Sequence, residues 1–188
     1  MGNILSLVLL VSTLIGLFGA GCSSMQTKTD EQGNVENIRL LPIDIDGSVR
    51  EETQGQSFAM AKSEDIRDDE SFRQIERALV LAGFVKETAG KSKLQVKVEF
   101  KLDKPILGSS VFGMLTPFKH TVILKAYKGA EIAWQTMVTG PSEFEDRRAT
   151  LPVILGAGVK YYGKDTKGET RVDFSESDVN VKVIRAVK

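Results

Sequence analysis

Cysteine and histidine are almost absent from this chain of 188 residues, which contains one of each. One cysteine and one histidine cannot form a Cys/His zinc site, an intrachain disulfide framework or a CxxC redox centre. The chain also lacks an excess of either charge, because 25 Lys and Arg residues balance 25 Asp and Glu residues. Because the chain has no basic surplus, nucleic acid is not predicted as a partner. No metal or other cofactor is predicted either.

The N-terminal region is apolar, and its first charged side chain is Lys28. Residues 4–20 form an apolar run that is slightly shorter than the roughly 20 residues of a membrane-spanning helix. The run ends in the small residues Gly19-Ala20-Gly21, directly before the only cysteine, Cys22. This arrangement is typical of a signal peptide.

The ending Gly19-Ala20-Gly21-Cys22 resembles the lipobox of bacterial lipoproteins. The resemblance implies that residues 1–21 are a lipoprotein signal peptide and that Cys22 becomes a diacylglycerol cysteine, with its freed amine also acylated, for example by palmitate. Ser23 after the cysteine implies sorting to the outer membrane, facing the periplasm, rather than retention in the inner membrane. An uncleaved N-terminal helix and a soluble secreted protein are the alternatives.

The rest of the chain divides into a short tether and one domain. Residues 22–35 are polar, carry both charges and show no apolar period, which predicts a flexible tether. Residues 36–188 contain no internal repeat and have the length of one domain. We therefore expect a single periplasmic domain there.

Alternating apolar and polar residues predict the strands of a sheet. The clearest alternation covers residues 94–102, and a less regular one at residues 38–45 predicts an earlier strand. Residues 120–127 and 132–139 are two further β-rich runs, and the short turn at residues 128–130 predicts a hairpin between them.

Two helices are predicted between and after these strands. Residues 72–82 repeat apolar side chains at helical spacing, with Ser71 as the predicted N-cap and Gly83 as the stop. Residues 141–163 are predicted as a second helix, which Pro152 must kink or restart.

Residues 172–187 fit both a strand and a helix, and their β-branched residues favour a strand. The predicted fold class is α+β, with a mixed, mostly antiparallel sheet of four or five strands and two helices on one face. If the strands at residues 38–45 and 94–102 are neighbours, the helix between them makes them parallel, with a right-handed crossover.

No catalytic residue is predicted. His120 is the only imidazole base, and no Ser or Cys nucleophile is identifiable beside it, so we interpret it as structural. Residues 158–164 copy the GxxxxGK spacing of a phosphate loop, but Asp165 replaces the required Ser or Thr, which favours a helix end and a turn. A pair of carboxylates could act as acid and base, but sequence separation does not show their distance. Trp134 is predicted to be a core aromatic.

Residues 106–118 are uncharged, rich in glycine and apolar, which is unusual for a connecting segment. One interpretation is an exposed contact for a partner protein or for lipid, and the other is a segment that folds back onto the core. The candidate contact residues are Val111, Phe112, Met114, Leu115 and Phe118.

The order of strand, helix ending in Leu79-x-x-Ala82-Gly83-Phe84, and amphipathic strand 94–100 resembles a group of bacterial lipoproteins that carry a domain of unknown function. The strand with Ala133-Trp134 and the segment at residues 146–152 are similar to that group too. The resemblance implies the architecture and the cell-envelope location, and it transfers no catalytic residue.

These observations predict an acyl-anchored outer-membrane lipoprotein that is not an enzyme. Its periplasmic domain would bind or position an envelope protein or lipid, with the membrane held through Cys22. A tethered periplasmic hydrolase, and an accessory subunit that handles lipid or lipopolysaccharide through residues 106–118, are the alternatives.

Overall fold

The structure is a computed structural model of the chain, and it describes residues 24–29, 35–61, 68–87, 92–105 and 117–186. Within these ranges, eight strands form one sheet and three α-helices accompany it. The strands are β1 (Ser24–Thr29), β2 (Val35–Val49), β3 (Ser57–Met60), β4 (Val85–Lys86), β5 (Leu94–Asp103), β6 (Phe118–Lys128), β7 (Glu131–Ser142) and β8 (Thr170–Ser175). The helices are α1 (Asp69–Leu81), α2 (Leu151–Gly158) and α3 (Val179–Arg185), and a short 3-10 helix covers Arg147–Ala149.

The strand order is β1-β2-β7-β6-β5-β3-β4, and β8 also pairs with β2. Only the pairs β3–β4 and β3–β5 are parallel among the described strands. The predicted mixed, mostly antiparallel α+β sheet is therefore confirmed. The predicted four or five strands and two helices are too few, because short or polar strands such as β1, β3 and β4 leave almost no apolar alternation in the sequence.

The two strands predicted at residues 38–45 and 94–102 are β2 and β5, and they are not neighbours. β2 pairs with β7, and β5 pairs with β6 and β3. The parallel crossover through α1 leads from β3 to β4 instead, and β5 then pairs parallel with the other side of β3. The predicted hairpin is confirmed as β6 and β7, whose turn contains Gly129 at a φ of 64°.

Helix α1 agrees with the prediction except at its N-cap. The side chain of Asp68 caps the helix by accepting a hydrogen bond from the Ser71 amide at 2.6 Å, so the predicted Ser71 cap is wrong. The helix ends at Leu81 with Ala82 as its C-cap, and Gly83 follows with a φ of 94°, as expected for a left-handed stop.

The predicted helix over residues 141–163 is wrong in its first third. β7 continues to Ser142, and helical structure begins only with the 3-10 helix before α2. Pro152 lies in the first turn of α2, where a missing backbone N–H costs nothing, so it starts the helix rather than kinking it. The prediction is also wrong over residues 159–163, because α2 ends at Gly158 and turns follow, the last of them at Gly163 with a φ of 72°.

The C-terminal region contains both structures that the sequence allowed. β8 ends at Ser175, and Val179–Arg185 is a helix whose N-cap Asp178 accepts from the Asn180 amide at 2.8 Å. The preference for a strand is therefore wrong over the helix. A capping Asp and two buried residues three positions apart, Val181 and Ile184, outweigh the β-branched composition.

Residues 24–29 differ from the tether predicted for residues 22–35. Ser24–Thr29 is a strand that pairs antiparallel with β2, in register from Ser24 opposite Leu40 to Thr29 opposite Val35. Pairing with an existing strand satisfies the backbone groups of a polar segment that has no apolar face of its own. Cys22 and Ser23 lie outside the described residues.

One hydrophobic core joins the sheet to the three helices. Trp134 is 1% exposed within it, which confirms the predicted core aromatic. In the part of the chain that the structure describes, no helix is long and apolar enough to cross a membrane.

Candidate functional site

An open cleft of about 390 Å³ lies between the N-terminus of α1, the paired ends of β5 and β6, and the loop that follows β7. Its lining combines both signs of charge with an apolar floor. The lining residues are Asp68, Phe100, Lys101, Leu102, His120, Glu145, Asp146, Arg147 and Arg148.

Strand alternation places the floor of the cleft. Phe100 and Leu102 continue the face of β5 that buries Val98 in the core, but they are only partly covered. His120 lies opposite Leu102 on β6, and cross-strand partners share a face. The cleft is therefore an extension of the core face beyond the helices.

Arg147 lies over this floor. Its guanidinium is 4.2 Å from the centre of the Phe100 ring, a cation–π distance, and its Nη2 is 3.9 Å from Oδ2 of Asp68. The stacked arginine thus links the 3-10 helix to both β5 and the start of α1.

Two carboxylates of the cleft are held in their charged form. Partial burial tends to raise the pKa of Asp68, but hydrogen bonds from the Ser71 amide and hydroxyl, with the charge of Arg147, bring that pKa below its ordinary value. Hydrogen bonds from the Arg148 side chain and amide lower the pKa of Asp146 to about 2. Both groups are fully ionised at neutral pH.

Hydrogen bonds from side chains to the backbone of Phe144 fix the loop after β7. The carbonyl oxygen of Phe144 accepts from Nε2 of His120 and from Oγ of Ser142, each at 2.9 Å. The Ser142 hydroxyl in turn accepts from the Phe144 amide and from Oγ1 of Thr150. His120 is buried, and this contact gives its Nε2 a hydrogen-bond partner. The loop holds Phe144 with its side chain 60% exposed.

Replacing Asp68 with alanine is expected to lower the free energy of unfolding by about 1 kcal/mol, because the N-cap of α1 is lost. Asp68→Asn retains a capping oxygen and should cost less. Urea unfolding at neutral pH measures both values. Equal losses in the two variants would mean that the charge opposite Arg147, and not the cap, stabilises the fold.

The stabilisation from the charge of Asp68 should depend on pH. Its pKa is lower in the folded state than the ordinary value of 3.8, so this contribution is complete above the ordinary pKa and is lost as the pH falls through the folded pKa. The stability difference between the unmodified protein and Asp68→Asn should therefore shrink as the pH falls below the ordinary pKa of 3.8. A difference that stays constant over this range would contradict the assignment.

Most candidate residues from the sequence cannot be compared with this cleft. Cys22, Val111, Phe112, Met114 and Leu115 lie outside the described residues. Phe118 is described: it is the half-buried first residue of β6, opposite Ser142.

Sequence reasoning missed the cleft itself. The sole histidine and the segment at residues 146–152 stand out in the sequence, but nothing in the sequence brings them together or adds Asp68 to them. Across the described ranges, no cluster of three or more His, Cys, Asp or Glu side chains could hold a metal ion.

Comparison with protein families and with curated proteins gives no match. Among solved structures, the chain is similar to a PDZ domain protein from Parabacteroides distasonis, with a TM-score of 0.49 and 12% identity, covering 70% of this chain and 39% of that one. It is also similar to two PelC dodecamer structures from Paraburkholderia phytofirmans, at TM-scores of 0.42 and 0.41 and identities of 6% and 7%. These two matches cover 62% and 66% of this chain and 95% and 98% of the PelC chains. At TM-scores this low, the likenesses support no inference about this chain.

Proposed function

We propose that this chain is an acyl-anchored outer-membrane lipoprotein whose periplasmic α+β domain binds another component of the cell envelope. The main support for the anchor is the apolar run at residues 4–20, which ends in Gly19-Ala20-Gly21 directly before the only cysteine, Cys22. Each buried CH₂ of a lipid chain contributes about 0.8 kcal/mol, and two or more chains give stable anchoring. By resemblance to bacterial lipoproteins, Ser23 favours the outer membrane.

The cleft supports the binding part of the proposal. It offers a cation stacked on an aromatic floor, Arg147 on Phe100, beside carboxylates that stay charged at neutral pH. A ligand that carries both a basic and an acidic group could exchange its own charges for the existing ion pairs. Such exchange avoids leaving a charge unpaired when the cleft is covered.

The tethered hydrolase is the second candidate, because Asp68, Glu145 and Asp146 line the same cleft. A general acid, however, requires a carboxyl with a raised pKa. The pKa values of Asp68 and Asp146 are both lowered, which argues against these two carboxyls as the general acid. The lipid-handling alternative depends on residues 106–118, of which only Pro117 and Phe118 are described.

The anchor is tested by the intact mass of the detergent-extracted protein and by its distribution between inner membrane, outer membrane and soluble fractions. We expect the mass of residues 22–188 plus acyl chains, in the outer membrane. Cys22→Ala should lose both the acyl mass and the membrane location. An unmodified mass in the soluble periplasm would overturn the proposal.

Binding at the cleft is tested by photo-crosslinking in living cells. A photoreactive amino acid at Leu102, which lines the cleft, should give an adduct of discrete mass, and the same residue at Lys97, on the opposite face of the strand, should not. Arg147→Ala should abolish the adduct. Equal adducts from both positions, or an adduct that survives Arg147→Ala, would exclude the cleft as the binding site.

A further inference from the structure

The start of β1 lies beside the loop that carries Phe144. Ser24 pairs with Leu40, and Met25 pairs with Arg39 on the neighbouring strand β2. Nη2 of Arg39 is 2.6 Å from Oε1 of Glu143, the residue before Phe144. One ion pair therefore connects the first described strand pair to the loop.

Two large apolar side chains are exposed next to this ion pair. Met25 is 70% exposed, and Phe144 is 60% exposed. Paired residues on antiparallel strands point to the same face, so Met25 projects on the side from which Arg39 reaches the loop. The hydrogen bonds from His120 and Ser142 already hold the backbone of Phe144 in place. A contact made by its ring therefore costs little further conformational entropy of the loop.

The charges around Phe144 are neutralised in pairs. Glu143 pairs with Arg39, and Glu145 pairs with Lys104 at 2.7 Å. Two unpaired carboxylates at these positions would be repelled by anionic lipid headgroups. With both carboxylates paired, the loop can approach such a surface without a net negative charge.

The short stretch of chain between Cys22 and Ser24 keeps Met25 and Phe144 near the proposed anchor. Cys22 precedes Ser24 by two residues, and two residues of chain span at most about 7 Å. An acylated Cys22 therefore keeps Ser24, and with it Met25 and Phe144, close to the level of the lipid headgroups.

We propose that Met25 and Phe144 form a membrane-contact surface, which enters the interfacial region of the leaflet that holds the acyl chains of Cys22. The occupant of this surface is lipid, and the proposal rests on the anchor proposed above. Contact at a second place besides the acyl chains fixes the orientation of the domain. Glu145 lines the cleft, so the cleft opens beside the membrane in this orientation.

The test uses the acylated protein in vesicles of phosphatidylethanolamine and phosphatidylglycerol that contain brominated phospholipids. Three single variants, Met25→Trp, Phe144→Trp and Val85→Trp, each add one indole to the buried Trp134. Val85 is the matched control, because it is 55% exposed on β4, at the opposite end of the strand order from β1.

The added indoles at Met25 and Phe144 should be quenched at least about twofold more strongly than the one at Val85, since interfacial side chains lie about 5–10 Å into the boundary between headgroups and acyl chains. Equal quenching at the three positions would overturn the proposal. A blue-shifted emission of the Phe144→Trp variant without quenching would mean that a protein, or a second copy of this chain, covers the surface. That result would overturn the proposal too.

The intact mass of the same samples separates the two proposals. An acylated mass with no quenching at Phe144 would refute the membrane-contact surface and leave the lipoprotein proposal standing. A mass without acyl chains would refute the lipoprotein proposal, and the membrane-contact surface would fall with it.

Discussion

Replacing Trp134 with alanine is expected to lower the free energy of unfolding by about 3–5 kcal/mol, the range for a fully buried tryptophan. Trp134 is 1% exposed, and its ring packs against Phe84 with the centroids 5.4 Å apart. Since domains are stable by only about 5–15 kcal/mol, this loss would leave the protein close to unfolding. Urea unfolding followed by circular dichroism measures it, because the variant has no tryptophan fluorescence.

Trp134→Phe is the matched control for this prediction. The indole N–H of Trp134 is buried and has no hydrogen-bond partner in the described ranges. An unsatisfied buried donor costs about 1–3 kcal/mol, and phenylalanine removes that donor while keeping an aromatic ring. We expect Trp134→Phe to lose less than half of what Trp134→Ala loses. Equal losses would show that the size of the indole, rather than its aromatic packing, determines the stability of this site.

Replacing Gly158 with alanine is expected to cost at least about 1–3 kcal/mol through overpacking. An added Cβ would lie 2.5 Å from Cζ and 2.7 Å from Cε1 of Tyr162. Tyr162 is 1% exposed, and its hydroxyl donates to the carbonyl oxygen of Leu155 at 3.2 Å, so the ring has no room to move away. Thermal and urea unfolding should both detect the change.

A double-mutant cycle identifies Tyr162 as the cause. Tyr162→Phe removes the hydroxyl, which is the atom nearest the added Cβ and the group that holds the ring to Leu155, so Gly158→Ala should cost less in that background. Tyr162→Leu removes the ring, and Gly158→Ala should cost at least about 0.5 kcal/mol less there, the lower end of coupling between residues in contact. A cost that is the same in all three backgrounds would contradict the contact.

The parts of the fold that could be predicted are those whose signals are local. The alternation of β5 and the turn at Gly129 both lie within a few residues, and the structure has the strand and the hairpin where they were expected. Ser142 shows the opposite case. Its spacing to Glu145 resembles a capping box, but its hydroxyl binds the Phe144 backbone and Thr150, and this local alternative replaces a helix with a loop.

The cleft could not be predicted because its members are far apart in sequence. Asp68 lies at the start of α1, which leads through β4 into β5, and Arg147 lies in the 3-10 helix that follows β7. β6 lies between β5 and β7, and this order of strands brings the two side chains together. The order of strands is a property of tertiary packing, and polar residues such as these give no periodic signal. The pairing of Met25 with Arg39 was missed for the same reason, since a polar edge strand reads as a tether.

The strand at Ser24–Thr29 also sets how far an anchored domain could reach. A flexible tether would let the domain search a volume that grows with the length of the linker. If Cys22 is acylated as proposed, the first described strand begins two residues after the anchor, so the domain could turn on it but could not move away from it. A domain of this length has a radius of gyration of about 15 Å, so a partner of the anchored domain would have to come within roughly 40 Å of the membrane. Partners confined to the same membrane would meet the domain at a correspondingly high local concentration.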